Sequence, residues 1–169
     1  MDVAEVADDL AAEQQVLDDM VSALDEDSWA LDTPSPRWTV ADQIAHLTYF
    51  DEAAAMAIVD PDHFRVMIDD LMGVTGGGDG AVDEFTLGRL RDLGPAGLLD
   101  AWRVGRGRLA GAAATLADDT RVIWYGPSMG AKSFLTARLM EAWAHGQDVV
   151  DTVGGHRPAT GRLRHIAQL

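Results

Sequence analysis

The chain of 169 residues is 47% hydrophobic, which supports a single domain with one substantial core. Its 28 acidic and 13 basic side chains give a formal net charge of −15, which opposes binding to nucleic acid and to anionic membranes. Cysteine is absent, which excludes disulfides and thiolate ligands, so a metal ion would have to bind to imidazole and carboxylate groups. Because the chain shows neither a long apolar run nor a basic leader, we expect a cytoplasmic protein.

Two amphipathic helices are predicted in the first third of the chain. Apolar residues recur at spacings of three, four and seven over residues 3–24, where Glu13 interrupts the apolar face. Glu13 is therefore either an inward carboxylate or a residue at the boundary of a drifting apolar face. After the proline-rich connector 33–36, a second helix is expected from Thr39, its N-cap, to about residue 59. His46 lies beside the apolar stripe of that helix.

The middle of the chain predicts a loop followed by a third helix. The glycine-rich stretch 73–80, GVTGGGDG, is typical of a flexible surface loop. From Pro95, apolar residues recur with helical periodicity through Leu116, and proline is tolerated in a first helical turn. Arg106 falls on the apolar face of this helix, so it either extends to the surface or binds an anion.

The last third predicts a short extended segment at residues 122–125, a loop over 126–133 and a fourth helix over 133–153. The pair Gly154-Gly155 is a glycine stop for that helix. Residues 1–153 would thus form the helical bundle. Residues 154–169 form a separate C-terminal segment. A new amphipathic pattern begins there at Arg162 and stops abruptly, so we expect the start of a truncated or missing further element.

Three potential ligands share one sector of the fourth helix. Glu141, His145 and Asp148 lie within a narrow angular range at about 100° per residue. Side chains four residues apart emerge about one turn apart, so Glu141 and His145 can bind one ion. His46 is the best-placed third ligand. The alternative is that Glu141 and His145 form a solvated pair on the helix surface.

Two segments resemble a known family. Residues 38–47, WTVADQIAHL, resemble the Trp-(Ser/Thr)-Val-x-(Asp/Glu)-x-x-x-His-Leu segment that opens the second helix of DinB-like proteins. They are more similar still to the N-terminal domain of mycothiol-dependent maleylpyruvate isomerase. Residues 137–148, ARLMEAWAHGQD, resemble the fourth-helix metal motif of that family. The nearest likeness is to an uncharacterised actinobacterial metal-binding subgroup with an extra C-terminal domain, which we expect this chain to lack.

The resemblance implies an all-α fold, an antiparallel four-helix bundle with short extra helices and loops. It also implies a metal site formed by His46, Glu141 and His145, usually occupied by zinc, with nickel and iron as alternatives. We expect Asp148, Glu13 and Arg106 to contact the ligand side chains and hold them in place without binding the ion themselves. Asp148 in particular is predicted to orient an imidazole by accepting a hydrogen bond from its N–H group.

The functional hypotheses come from different classes of protein. The family resemblance predicts a mycothiol-dependent S-transferase or isomerase, in which the ion binds a small thiol and the activated sulfur attacks a small electrophile. The alternatives are a non-catalytic metal-binding module and a bundle that binds a small molecule or another helix. No catalytic residue is assigned, and both a monomer and a homodimer are compatible with the sequence.

Overall fold

Four long helices form the bundle in the computed structural model, which describes residues 2–168. They are α1 (Val3–Val21), α2 (Val40–Val59), α5 (Gly94–Ala113) and α6 (Ala131–Val153). Helix α2 packs on α5 and α6, and α1 packs on α6 and α5. The other elements are α3 (Pro61–Val74), α4 (Asp79–Arg91), the hairpin of β1 (Arg121–Val122) and β2 (Met129–Gly130), α7 (Leu163–Ile166), and the 3-10 turns Asp27–Ala30 and Thr75–Gly77. The predicted all-α fold is confirmed.

Local capping chemistry positions the two helices that matter most for the site. At the start of α2, Thr39 and Asp42 form a reciprocal capping box, which confirms the predicted N-cap. Helix α6 ends at Gly154, whose φ of 68° is readily adopted by glycine, as the predicted stop requires. Helix α6 begins at Ala131, directly after strand β2, which is two residues before the predicted start at residue 133.

The segment between α2 and α5 contains two helices that the sequence did not predict. Residues 73–80 are not a continuous loop: they comprise the end of α3, the 3-10 turn Thr75–Gly77 and the start of α4. Each glycine in a helix costs about 1 kcal/mol relative to alanine. Burial of Phe64 and Leu71 from α3, and of Leu87 and Leu90 from α4, overrides that local preference.

The C-terminal segment packs against α1. Arg157 and Arg162 both hydrogen-bond to Glu13, which is buried, so the inward alternative for Glu13 is correct. The imidazole Nε2 of the buried His165 lies 2.7 Å from Asp9 Oδ2. Within this segment, the single-turn helix α7 is held to α1 by ion pairs. No helix among residues 2–168 is long and apolar enough to cross a membrane.

One buried carboxylate, Asp51 of α2, joins all four bundle helices. It is 1% exposed and accepts hydrogen bonds from Gln14 (2.8 Å) and Trp102 (3.2 Å) at Oδ2. Arg138 of α6 donates to its Oδ1 through Nη2 at 3.0 Å and Nε at 3.3 Å. The buried apolar residues of α2 belong to two separate clusters. Those up to Leu47 belong to one cluster and those from Ala53 onwards to the other, so Asp51 lies between them. This polar contact therefore separates two halves of the core.

Replacing Asp51 by leucine should lower the free energy of unfolding by about 3–5 kcal/mol, because Arg138 would remain buried without a counter-charge. Urea denaturation followed by circular dichroism would measure the loss. The control is Asp62→Ala, since Asp62 has a 93% exposed side chain and pairs with Arg65 of its own helix. Similar losses in the two variants would contradict the role given to Asp51.

Candidate metal centre

His46, Glu141 and His145 come together where α2 faces α6. The Nε2 atoms of His46 and His145 each lie 3.1 Å from the same carboxylate oxygen, Oε2 of Glu141. The two imidazole ring centroids are 4.4 Å apart. One ligand atom from each residue lies within 4.8 Å of the other two. The structure thus brings the three predicted ligands into one cluster.

Burial and mutual contact set the charges of this cluster. Burial lowers the pKa of His46 to about 4, although the Glu141 carboxylate opposes that shift. A glutamate carboxyl group such as that of Glu141 is ionised at neutral pH. At neutral pH, His46 is therefore neutral and Glu141 ionised, which are the protonation states that bind a cation.

The outer nitrogen of His145 contacts Gln43 instead of the predicted Asp148. His145 Nδ1 lies 2.5 Å from Oε1 of Gln43. Asp148 lies one step further away, where its Oδ2 accepts hydrogen bonds from Ser35 Oγ (2.6 Å) and Gln43 Nε2 (3.2 Å). The prediction that an imidazole donates a hydrogen bond directly to Asp148 is thus wrong. Gln43 could have been found in the sequence, because it precedes His46 by three residues and so shares its helix face.

Glu13 and Arg106 make their contacts elsewhere in the bundle. Glu13 is bound by Arg157 and Arg162, as described above. Arg106 donates to Asp18 Oδ2 at 2.5 Å, and its guanidinium carbon lies 5.0 Å from the Trp102 ring centroid. The expectation that these two residues support the ligands is therefore not met by their hydrogen bonds. The reason is that Glu13 and Arg106 lie on α1 and α5, whereas the cluster forms between α2 and α6.

A pocket of about 310 Å³ opens onto His145. Its other lining residues are Ser35, Pro36, Arg37, Trp38 and Asp79. Larger grooves of about 510 and 460 Å³ lie beside Trp29, but they are lined by none of the three clustered residues. The small pocket therefore provides a route by which a ligand could approach the cluster.

Aromatic rings pack against the imidazoles of the cluster. The Trp38 ring centroid lies 4.9 Å from that of His46 and 5.7 Å from that of His145. Phe50, one turn beyond His46, packs on the His46 ring with a centroid separation of 4.6 Å. Side-chain exposure is nevertheless 15% for His46, 17% for His145 and 32% for Glu141. The cluster is thus partly shielded but open to solvent at one side.

The sequence model of the protein family "mycothiol maleylpyruvate isomerase N-terminal domain" matches residues 10–150, which include the whole cluster. The chain belongs to this family. The resemblance inferred from residues 38–47 and 137–148 is thereby confirmed.

The chain is also similar to individual proteins of known sequence or structure. It is 45% identical over 161 residues to uncharacterised proteins of Mycobacterium tuberculosis strains CDC 1551 and H37Rv, covering 95% of this chain. Crystal structures of the mycothiol-dependent maleylpyruvate isomerase and of a histidine-to-alanine mutant of it share the fold, with a TM-score of 0.67, 16% identity and 88% of this chain covered. The chain spans 61% of the length of each of these proteins.

The metal-free protein should become less stable as the pH falls from about 6.5 towards 4. In that interval the unfolded chain protonates residue 46 at its ordinary pKa of 6.5, whereas the folded state keeps it neutral down to about 4. The unfolded state therefore binds more protons, and this residue contributes up to about 1.4 kcal/mol per pH unit.

Urea denaturation of wild type and His46→Gln across this interval would isolate the contribution, because glutamine does not titrate. We expect the wild type to lose stability more steeply than the variant as the pH falls. Equal slopes for the two proteins would contradict the shifted pKa of His46.

Proposed function

We propose that His46, Glu141 and His145 bind one divalent cation, and that the protein is a mycothiol-dependent S-transferase or isomerase acting on a small electrophile. The observation that carries the proposal is the convergence of two imidazole nitrogens on one Glu141 oxygen, at 3.1 Å each, beside a pocket. Two imidazoles and one carboxylate are the ligands of several catalytic zinc sites, which leave a further position for water or substrate.

The chemistry of the donors favours zinc over harder cations. Imidazole nitrogen suits zinc, nickel and iron, whereas magnesium and calcium prefer sites made entirely of oxygen. Zinc is the ion that we propose, and nickel and iron are the alternatives. When bound, such an ion lowers the pKa of a coordinated thiol, and this supplies a thiolate nucleophile at neutral pH.

The residues around the cluster suit the binding of a small molecule. Trp38 presents its ring beside both histidines and lines the pocket together with Ser35. A thiol held there would be partly shielded from water by the indole and by Phe50. Because the chain has no cysteine, the sulfur would come from the cofactor. The family to which the chain belongs points to mycothiol as that cofactor.

A non-catalytic metal-binding module is the second candidate. Structural metal sites are closed, with every coordination position taken by the protein. The partial exposure of all three residues and the adjacent pocket argue for an open site instead. We therefore favour an enzyme over a structural module.

Metal content tests the first half of the proposal. We expect about one zinc per chain in protein purified without chelator, and little in His46→Ala, because the remaining pair would bind the ion weakly. Inductively coupled plasma mass spectrometry would measure zinc, nickel and iron together. His63→Ala is the matched control, since His63 is an exposed histidine on α3. A metal-free wild type, or equal content in wild type and His46→Ala, would contradict the metal site.

Titration calorimetry with mycothiol tests the second half. We expect binding to the zinc-loaded protein and none after chelation, because the thiol sulfur would bind the ion directly. His46→Ala should resemble the chelated protein. If the zinc-loaded wild type gave no heat, the mycothiol assignment would be wrong and the non-catalytic module would be favoured.

A further inference from the structure

Gln43 is a fully buried amide whose hydrogen bonds all lie at the edge of the cluster. It projects from α2 one turn before His46 and is 0% exposed. Its Oε1 is 2.5 Å from His145 Nδ1. Its Nε2 donates to Thr33 Oγ1 at 2.8 Å and to Asp148 Oδ2 at 3.2 Å. Each hydrogen-bonding atom of this side chain therefore has a partner.

The two partners of Nε2 leave only one orientation for the amide. The Asp148 carboxylate accepts hydrogen bonds but has none to donate. The Thr33 hydroxyl donates its proton to the carbonyl oxygen of Trp38 at 2.8 Å, so its oxygen can only accept from Gln43. Both sites thus require an N–H group. The carbonyl oxygen of Gln43 must consequently face His145.

This orientation decides which nitrogen of His145 carries a proton. A carbonyl oxygen only accepts, so Nδ1 of His145 must be the donor of the 2.5 Å contact. In a neutral imidazole, Nε2 then has a lone pair, which faces Glu141 Oε2 at 3.1 Å. Two acceptors at that distance are satisfied when a cation lies between them.

We propose that Gln43 is the positioning residue of the site: its carbonyl holds the proton of His145 on Nδ1 and thereby directs the Nε2 lone pair at the bound cation. Metal-bound histidines commonly donate their outer N–H to a carboxylate, a backbone carbonyl or water. Here a neutral side-chain amide takes that place, and the negative charge of Asp148 lies one hydrogen bond further out. The inference rests on the proposed function for its effect on metal affinity, but the position of the proton does not depend on a metal.

The same network connects the ligand to the wall of the pocket. Thr33, which accepts from Gln43, and Ser35, which donates to Asp148, belong to the segment before α2. Ser35 and Trp38 of that segment line the pocket beside His145. Gln43 therefore orients the ligand and anchors the pocket wall through a single amide.

The experiment compares Gln43→Leu with Gln14→Leu. Both remove a buried helical glutamine, but Gln14 hydrogen-bonds to Asp51 and contacts none of the three proposed ligands through that amide. Zinc affinity, measured by competition with a chromogenic chelator, should fall about 10- to 100-fold in Gln43→Leu and stay unchanged in Gln14→Leu. The absorption spectrum of the cobalt-substituted protein should change only in Gln43→Leu. Equal zinc affinity in wild type and Gln43→Leu would overturn the inference.

Long-range ¹H–¹⁵N NMR of the metal-free protein shows directly which ring nitrogen of His145 carries the proton. Above the titration range of histidine, wild-type His145 should carry its proton on Nδ1, and Gln43→Leu should shift it to Nε2, where Glu141 can accept it. A wild-type proton on Nε2 would overturn the inference. If the wild type bound no zinc, the proposed function would fail while this measurement still decided the role of Gln43.

A reciprocal exchange provides a rescue. Gln43→Glu combined with Asp148→Asn keeps an acceptor opposite Nδ1 of His145 and reverses the hydrogen bond between residues 43 and 148 at constant total charge. The Thr33 hydroxyl would then donate to the new carboxylate in place of the Trp38 carbonyl oxygen. Zinc affinity should recover towards the wild-type value and exceed that of Gln43→Leu. A folded double variant that binds zinc no better than Gln43→Leu would count against the inference.

Discussion

The contact between Asp51 and Arg138 is the constraint on which the site depends. Asp51 follows His46 by five residues on α2, and Arg138 precedes Glu141 by three on α6. A buried charge pair tolerates little sliding, because any shift would leave a charge without its partner in the core. The pair therefore sets the register of α2 against α6. That register brings His46 opposite Glu141 and His145.

The distribution of charge follows the same logic. A chain with a formal charge of −15 has few basic groups, and several of its arginines form ion pairs inside or along the bundle. Arg157 and Arg162 neutralise the buried Glu13, so that the C-terminal segment packs against α1. Around the proposed ligands the structure uses a neutral amide, Gln43, instead of a further carboxylate. Among residues 2–168, the carboxylate that pairs with both imidazoles is that of Glu141.

The pocket and the proposed ligands form one unit because α2 begins beside both. The capping box at Thr39 places Trp38 immediately outside the helix, where its ring covers both imidazoles. Hydrogen bonds join the segment before α2 to the network beside His145: Thr33 accepts from Gln43, and Ser35 donates to Asp148. A ligand entering beside His145 would thus meet a wall that is joined to the proposed metal site. This arrangement is the reason why we propose an open metal site over a closed structural one.

Local sequence determined the bundle helices, the Thr39 cap and the pairing of Glu141 with His145, since these follow from helical periodicity and capping. Family resemblance supplied His46. Helices α3 and α4 could not be predicted from the glycine-rich stretch, because their stability comes from Phe64 and Leu87 packing on the bundle. The partners of Glu13 and Arg106 and the place of Gln43 between His145 and Asp148 were likewise decided only by the tertiary structure. Each depends on which helices meet, and periodicity says which face is buried but not what lies against it.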